Sequence, residues 1–143
     1  MQQLVERSSD VFAFDAAGWP PEHYAIQLQV AGLALGTAGQ PVLRTEHRFD
    51  AYLHLDYPRQ APLLLWRTPV FHPNILPPSR NGGVCIGTWS PSESLADLCR
   101  RIARMVSYNS FSVGDALDPE AASWAVRTDL AEGADLRAFL ASS

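Results

Sequence analysis

Cys85 is the residue whose type and surroundings best suit covalent chemistry. It follows residues 81–83 (NGG), where two glycines allow the backbone to approach other groups closely, and it precedes a predicted helix start. Cys99 falls at apolar helical spacing, which is typical of a buried structural cysteine. An ordinary thiol is already partly thiolate at pH 7, so a nucleophilic cysteine needs no dedicated base. The pattern predicts that Cys85 is a nucleophile.

The turn His72-Pro73-Asn74 carries two candidate helpers for such a nucleophile. A cysteine hydrolase would use His72 as its base, but the adjacent proline restricts the imidazole and no third residue that would orient it is apparent. The alternative, which we favour, is that His72 and Pro73 stabilise the turn. Asn74 can donate a hydrogen bond to an oxyanion, which contributes about 2.7–4 kcal/mol to transition-state stabilisation, or it can stabilise the turn itself. The residue types leave both roles of Asn74 open.

The segments before this turn are predicted to form β-strands. Residues 23–30 and 47–56 alternate apolar and polar side chains, which is typical of half-buried strands. The apolar face of the second strand would carry Phe49, Ala51, Leu53 and Leu55. The continuous apolar run at residues 63–66 indicates a third, buried strand. Short connections between the three predict an antiparallel meander.

The N-terminal residues show shorter patterns. Residues 4–8 suggest the end of a short helix, and residues 11–14 suggest an extended segment before a turn at residues 18–21. No basic region precedes an apolar core, so a signal peptide is not predicted. The apolar stretch 61–71 is interrupted by Arg67 and is too short to span a membrane. We therefore expect no membrane partner and a cytoplasmic location.

After Cys85 the apolar spacing changes from 2 residues to 3.6, which predicts helices. Residues 90–93 (SPSE) have the pattern of a capping box with proline at the first helical position, and residues 118–120 (DPE) mark a second start. The first helix would bury Leu95, Leu98, Ile102 and Met105. Residues 134–140 would form the last helix. This order predicts an α+β fold, an antiparallel β-meander with helices packed against it, in a single domain covering residues 1–143.

The composition argues against several classes of protein. The 143 residues carry a net charge of −4, which argues against a nucleic-acid partner. The two cysteines form neither a disulfide framework nor a metal cluster, so neither a metal nor another cofactor is predicted. All eleven basic residues are arginine. That bias reflects either a GC-rich genome or an enzyme whose activated intermediate would attack its own lysines, since arginine is not nucleophilic.

Several short motifs occur along the chain: Tyr57-Pro58, Pro62, His72-Pro73-Asn74, Cys85 and Trp89-Ser90-Pro91. Together these motifs resemble those of the ubiquitin-conjugating enzymes. Their identities, order and approximate spacing agree with the family, and strands before and helices after them match the layout of that fold. The resemblance is clearest over residues 49–105 and extends to the rest of the chain in outline.

The resemblance implies thioester chemistry. Cys85 would accept the C-terminal carboxyl group of a ubiquitin-like protein from an activating enzyme and pass it to an amine of a protein acceptor. Asn74 would stabilise the oxyanion or position a loop, while His72 and Pro73 would hold the turn. Retention of Cys85 argues against the alternative of a catalytically inactive scaffold of the same fold that binds a ubiquitin-like protein.

Further positions follow from the same resemblance. Asp115, aligned by the shared proline and glutamate at residues 119–120, falls where the family carries an acidic residue near the incoming amine. The alternative is that Asp115 is a solvated loop acid. The positions implied to face protein partners are Pro62, Trp89, Ser90 and Pro91.

The chain also departs from the family pattern. The segment from Asn74 to Cys85 is longer, because it carries residues 77–80 (PPSR), and the segment from Cys85 to Trp89 is shorter. With the absence of lysine, these departures look like the prokaryotic branch of the family. That branch resembles conjugation systems encoded beside their own activating enzyme and a deconjugating peptidase, some of which act in antiphage defence.

Overall fold

The described part of the chain forms an antiparallel sheet followed by helices. The structure, a computed structural model, describes residues 3–5, 12–17, 23–53 and 55–142. The strands are β1 (Gln3–Val5), β2 (Phe12–Ala17), β3 (His23–Leu35), β4 (Pro41–Tyr52) and β5 (Leu63–Trp66). Each strand pairs antiparallel with the next one in sequence. The helices are α1 (Leu95–Val106), α2 (Pro119–Arg127) and α3 (Leu136–Ala141), and the predicted α+β fold is confirmed.

The N-terminal boundaries depend on pairing that the sequence patterns do not show. Residues 3–5 form a strand against β2, where the end of a helix is predicted, and residues 6–8 lie outside the described residues. The predicted turn at residues 18–21 also lies outside them. The extended segment predicted at residues 11–14 is confirmed by β2 over its described part. Strand β3 continues beyond residue 30 to Leu35, and an irregularity between Gln29 and Gly32 shifts its register against β4.

Strand β4 is shifted towards the N-terminus relative to its prediction. It begins at Pro41, directly after the hairpin in which the Gly36 N–H donates to the Gln40 carbonyl at 2.7 Å. It ends at Tyr52, so Leu55 lies in the following turn and is 100% exposed, contrary to its predicted place on the apolar face. Phe49 and Ala51 are buried as predicted.

The inner face of the sheet packs against α1. Fully buried side chains from the two sides include Ile26, Leu28, Phe49, Trp66, Leu98 and Ile102. Cys99 lies within this cluster, which confirms its predicted place in the core, and burial raises the pKa of its thiol to about 12. A second cluster under α2 and α3 contains Leu33, Phe71, Tyr108, Ala125 and Leu136. Within the described ranges, no helix combines the length and apolarity that a membrane span requires.

Helix α1 begins later than predicted. Its N-cap is Ser94, whose Oγ accepts a hydrogen bond from the Asp97 N–H at 3.0 Å, while the Asp97 carboxylate accepts one from the Ser94 N–H at 3.1 Å. This is a complete capping box, and the box predicted at residues 90–93 is wrong. Residues 91–92 form a turn, and the Glu93 carboxylate is used elsewhere, by Arg101.

Helix α2 begins where predicted. The Asp118 carboxylate accepts hydrogen bonds from the N–H groups of Glu120 and Ala121 at 3.1 and 3.3 Å, and Pro119 occupies the first turn. The other carboxylate oxygen of Asp118 lies 3.4 Å from Arg80 Nη1. Asp118 therefore caps α2 and also ties it to the loop before Cys85.

Candidate functional site

His72 is fully buried, and both of its ring nitrogens bond to the backbone. Nε2 lies 2.6 Å from the carbonyl oxygen of Met105, and Nδ1 accepts a hydrogen bond from the Asn74 N–H at 3.0 Å. A carbonyl can only accept, so Nε2 carries the proton and Nδ1 is the acceptor. Burial lowers the pKa of His72 to about 4, which keeps the ring neutral near pH 7. These bonds join the turn to the end of α1 and leave neither nitrogen for Cys85.

Pro73 continues the same turn. It is buried, and its carbonyl accepts a hydrogen bond from the Asp118 N–H at 3.0 Å. The turn is thus linked to α1 through His72 and to the cap of α2 through Pro73.

Asn74 connects the turn to a loop far away in sequence. Its side chain is 6% exposed, and Nδ2 donates to the Ser112 carbonyl at 3.0 Å while Oδ1 accepts from the Ser112 N–H at 2.9 Å. Its own carbonyl accepts a hydrogen bond from the Cys85 N–H at 2.9 Å. Asn74 therefore touches both the thiol-bearing residue and the loop opposite it.

The stretch between Asn74 and Cys85 closes like a hairpin. The Leu76 N–H donates to the Gly83 carbonyl at 2.8 Å, and Ile75 is bridged to Val84. Residues 78–80 form a short 3-10 turn at the far end. The hairpin also joins the sheet, since the Trp66 N–H donates to the Gly82 carbonyl at 2.8 Å.

Gly82 is required where this hairpin meets β5. Its φ is +69°, and a Cβ at this position would lie 2.8 Å from the Trp66 carbonyl oxygen. Only glycine meets both conditions without strain. Of the two glycines predicted to permit a close backbone approach, Gly82 does so here, whereas a Cβ at Gly83 would meet only side-chain atoms.

Cys85 lies exposed at the edge of a cleft of about 360 Å³. The cleft is lined by Cys85 together with Asn74, Met105, Ser112 and Asp115. Asp115 is exposed and has a φ of +51°, a left-handed backbone conformation that aspartate tolerates better than most residues. The structure thus brings together three of the residues singled out from the sequence: Cys85, Asn74 and Asp115. Among the described residues, no group of three or more His, Cys, Asp or Glu side chains is placed to hold a metal ion.

The positions expected to face partners differ in exposure. Ser90 and Pro91 are exposed, and Trp89 is half-buried, with its indole N–H donating to the Pro58 carbonyl at 2.7 Å. Pro62 is buried, so contacts with a partner at this end would fall to its neighbour Leu63, which is 62% exposed.

Sequence reasoning missed Ser112 and Arg80. Ser112 acts through its backbone, so its side-chain type carries no signal of the contact with Asn74. Arg80 pairs with the cap of α2, a contact that no local pattern predicts because the two residues are distant in sequence.

Comparisons with known proteins identify the family and the fold. A sequence relative from Dictyostelium discoideum, named ubiquitin conjugating enzyme E2 B, is 29% identical over 75 residues, which cover 50% of this chain and 49% of that protein. The matched region thus spans about half the length of that relative.

Solved structures share the fold. The E2 domain of a Toxoplasma gondii ubiquitin-conjugating enzyme superposes with a TM-score of 0.61 at 22% identity, covering 81% of this chain and 77% of that one. A putative ubiquitin-conjugating enzyme from Trypanosoma cruzi gives a TM-score of 0.59 at 20% identity, covering 84% and 76%. The family model described as ubiquitin-conjugating enzyme matches residues 22–130. With most of its length matched by that model, the chain belongs to the ubiquitin-conjugating enzyme family.

Proposed function

We propose that this chain is a conjugating transferase that carries a ubiquitin-like protein as a thioester on Cys85. The observation that carries the proposal is the position of Cys85, an exposed thiol in a cleft also lined by Asn74 and Asp115. The other cysteine, Cys99, is buried and its raised pKa of about 12 leaves it protonated. Family membership supports the same chemistry at the same residue.

The first step exchanges one thioester for another. The Cys85 thiolate attacks the carbonyl carbon at the C-terminus of the ubiquitin-like protein, which arrives as a thioester on a cysteine of the activating enzyme. A bond from Cys85 Sγ to carbon forms, the bond to the activating enzyme's sulfur breaks, and that sulfur leaves as a thiolate. The exchange needs no histidine base, which agrees with the engagement of both nitrogens of His72.

The second step transfers the acyl group to an amine of the acceptor protein. The neutral amine attacks the same carbonyl carbon, the carbon–sulfur bond breaks, Cys85 leaves as a thiolate and the amine nitrogen loses a proton. In this proposal Asn74 acts on the tetrahedral intermediate. One Nδ2 hydrogen bonds to the Ser112 carbonyl, and an amide nitrogen carries a second hydrogen that can be donated to the oxyanion.

Asp115 is proposed to orient the incoming amine and accept its proton. A free lysine amine is neutral in only about one molecule in 2,500 at pH 7, from its reference pKa. A nearby carboxylate raises the pKa of an amine, so Asp115 alone cannot generate the neutral form. Desolvation in the cleft must favour deprotonation, and the carboxylate then serves as an acceptor for the proton released during attack.

The partners in this proposal are a ubiquitin-like protein, an activating enzyme and a protein acceptor. Trp89, Ser90 and Pro91 would form part of the surface that meets them. We extend the proposal to a bacterial, cytoplasmic conjugation system with its own deconjugating peptidase, acting in antiviral defence. Support for that setting comes from the lysine-free composition and the altered segments around Cys85.

The structure disfavours a cysteine–histidine hydrolase. His72 is buried, donates to Met105 and accepts from Asn74, so it cannot also accept a proton from the Cys85 thiol. An inactive scaffold is disfavoured by the exposed thiol and by the cleft beside it.

The test is adduct formation with ATP, the activating enzyme and the ubiquitin-like protein of the source organism, read on a non-reducing gel. We expect an adduct that is cleaved by thiols. Cys85→Ser should give a thiol-resistant ester or no adduct, and Cys85→Ala should give none. An adduct that persists in Cys85→Ala, or a wild-type chain that forms none, would show that the proposal is wrong.

A further inference from the structure

The segment that follows Cys85 is not held by regular secondary structure. Residues 86–93 join Cys85 to the N-cap of α1 and contain neither helix nor strand. The N–H groups of Ile86, Gly87 and Thr88 bond to no acceptor within the described residues. The backbone N–H groups of these three residues therefore do not tie the main chain next to the thiol to the part of the fold that the structure describes.

Arg101 on α1 holds this segment through its side chain. Its Nη1 donates to the carbonyl oxygens of Ile86 and Thr88 at 3.2 and 2.8 Å. Its Nη2 lies 3.1 and 3.0 Å from the two carboxylate oxygens of Glu93. One planar guanidinium thus joins the beginning and the end of the segment to the helix, a geometry that the single ammonium group of lysine does not reproduce.

Burial shields this arrangement from water. The side chains of Arg101 and Glu93 are 31% and 17% exposed, so their ion pair is less screened than one on the open surface. Arg101 Nε is buried and has no hydrogen-bond partner within the described residues, which opposes the folded state. The guanidinium keeps this position through its four other contacts. On the opposite side, the indole N–H of Trp89 anchors the segment to the Pro58 carbonyl.

We propose that Arg101, backed by Glu93, is a positioning residue for transfer from Cys85. The Ile86 carbonyl belongs to the second peptide group after Cys85, so holding it limits rotation of the chain that carries the thioester. Small displacements of a reacting group are costly, with about 1 Å worth roughly 100-fold in rate. The inference rests on the proposed function, since it assigns a role in that same transfer.

The test compares Arg101→Gln, Arg101→Lys and Glu93→Gln with the wild type after each has been loaded with the ubiquitin-like protein. Discharge to free lysine is followed in a single turnover. We expect Arg101→Gln to slow discharge by about 10- to 100-fold, the range set by misplacement of a reacting group. Arg101→Lys should discharge faster than Arg101→Gln but more slowly than the wild type. The discharge rate of Glu93→Gln should also lie between those of Arg101→Gln and the wild type.

Hydrogen exchange provides the second readout and needs no partner protein. We expect faster exchange of the Cys85 and Glu93 N–H groups in Arg101→Gln, because these two donate to the Asn74 and Ser90 carbonyls at the two ends of the segment. The exchange of β3 and β4 should be unchanged. Arg104→Gln is the matched control, because it removes the same charge from an exposed position of the same helix. It should alter neither discharge nor exchange in this segment.

The outcomes separate the two proposals. If the wild type loads and discharges but Arg101→Gln does so at the same rate, the positioning role is wrong and the proposed function stands. A wild type that forms no thioester overturns the proposed function and this inference with it. Folding of each variant is checked by its thermal midpoint. If Arg101→Gln is unfolded, Glu93→Gln decides, and an unchanged discharge rate in that variant overturns the inference.

Discussion

The side-chain amide of Asn74 makes two hydrogen bonds to the backbone of Ser112, a residue 38 positions away in sequence. The main-chain carbonyl of Asn74 also accepts a hydrogen bond from the Cys85 N–H. The loop that carries Asp115 is therefore held at a fixed place relative to the thiol through Asn74. Loop positioning and oxyanion stabilisation do not exclude each other, because Nδ2 has one hydrogen for each.

Asn74→Ala is expected to slow discharge of the thioester by about 10²- to 10³-fold, the usual effect of removing an oxyanion donor, with loading largely kept. Single-turnover rates of the two steps measure this. Faster amide exchange at Ser112 would report the loss of the loop contact. Asn109→Ala is the control, since it removes an exposed amide whose one side-chain hydrogen bond within the described residues is to Ser107 Oγ. Equal discharge rates in Asn74→Ala and the wild type would remove the catalytic role.

Asp115→Asn is expected to slow discharge to lysine by about 10²-fold, at the lower end of general-base contributions, because the amide cannot accept the amine proton. Asp129→Asn makes the same substitution at an exposed aspartate that also has a positive φ, of 57°, but does not line the cleft. It should discharge at the wild-type rate. If both variants behave alike, Asp115 is a solvated loop acid.

Acid is expected to destabilise the fold through His72. Its folded-state pKa is lowered to about 4, below the ordinary value of 6.5, so the unfolded chain takes up a proton first as the pH falls. The contribution of His72 to stability is therefore constant above about pH 6.5 and declines towards pH 4, by about 3 kcal/mol, since one pKa unit corresponds to 1.36 kcal/mol. His47, whose pKa is also lowered by burial, adds to the same trend. Urea unfolding at pH 7.5 and 4.5 measures the loss.

Nuclear magnetic resonance gives a direct check on the same residue. The imidazole of His72 should show the Nε2–H tautomer and keep it at pH 5.5. Titration of this ring near pH 6.5, as in an exposed histidine, would contradict the buried and doubly bonded geometry.

The two thiols are expected to differ in reactivity. Iodoacetamide should label Cys85 in the native protein and leave Cys99 unmodified, because Cys99 is buried and its pKa is raised to about 12. Mass spectrometry should find one label in native protein and two after unfolding in urea. Native Cys85→Ser should take up none, and labelling of that variant would show that Cys99 is accessible.

Gly82→Ala is expected to destabilise the fold more than Gly39→Ala. Both glycines have positive φ, at +69° and +79°, so each substitution costs about 1–2 kcal/mol in backbone strain. Only at position 82 would the new Cβ meet backbone, at 2.8 Å from the Trp66 carbonyl oxygen, which adds about 1–3 kcal/mol. Urea midpoints of the two variants give the difference, and similar values would mean that the close approach is easily relieved.

Local patterns predicted the elements whose signals are complete within a few residues. Leu63–Trp66 is the predicted strand, and α2 begins at the predicted proline after an aspartate cap. The start of α1 shows where such signals become ambiguous. Residues 90–93 and 94–97 both offer serine followed three positions later by an acid, and the structure uses the second pair. The Glu93 carboxylate pairs with Arg101 instead. Arg101 lies farther along α1, so a four-residue capping pattern does not include this contact.

The site was predictable in its residue types but not in its contacts. The glycines, the turn at residues 72–74 and the cysteine identified the region, whereas the partners of His72 and Asn74 are backbone atoms of Met105 and Ser112. Backbone carbonyl groups are the same at every position, so residue types do not predict which of them accepts a hydrogen bond from a given side chain. Leu55 shows the opposite case, a residue-type pattern without the predicted structure. The apolar–polar alternation continues to residue 56, but pairing with β5 ends at Tyr52, and Leu55 is exposed.

Because of the hairpin between Asn74 and Cys85, the distance between these two residues does not depend on how many residues lie at its far end. The Asn74 carbonyl and the Cys85 N–H are hydrogen-bonded directly, and the Leu76 to Gly83 bond closes the hairpin above them. We therefore expect residues 78–80 to tolerate exchange, shortening or extension in an engineered chain while the distance between these two residues stays the same. A peptide tag or recognition sequence inserted there would be displayed at the end of the hairpin far from Cys85, at the expense of the Arg80 contact with the α2 cap.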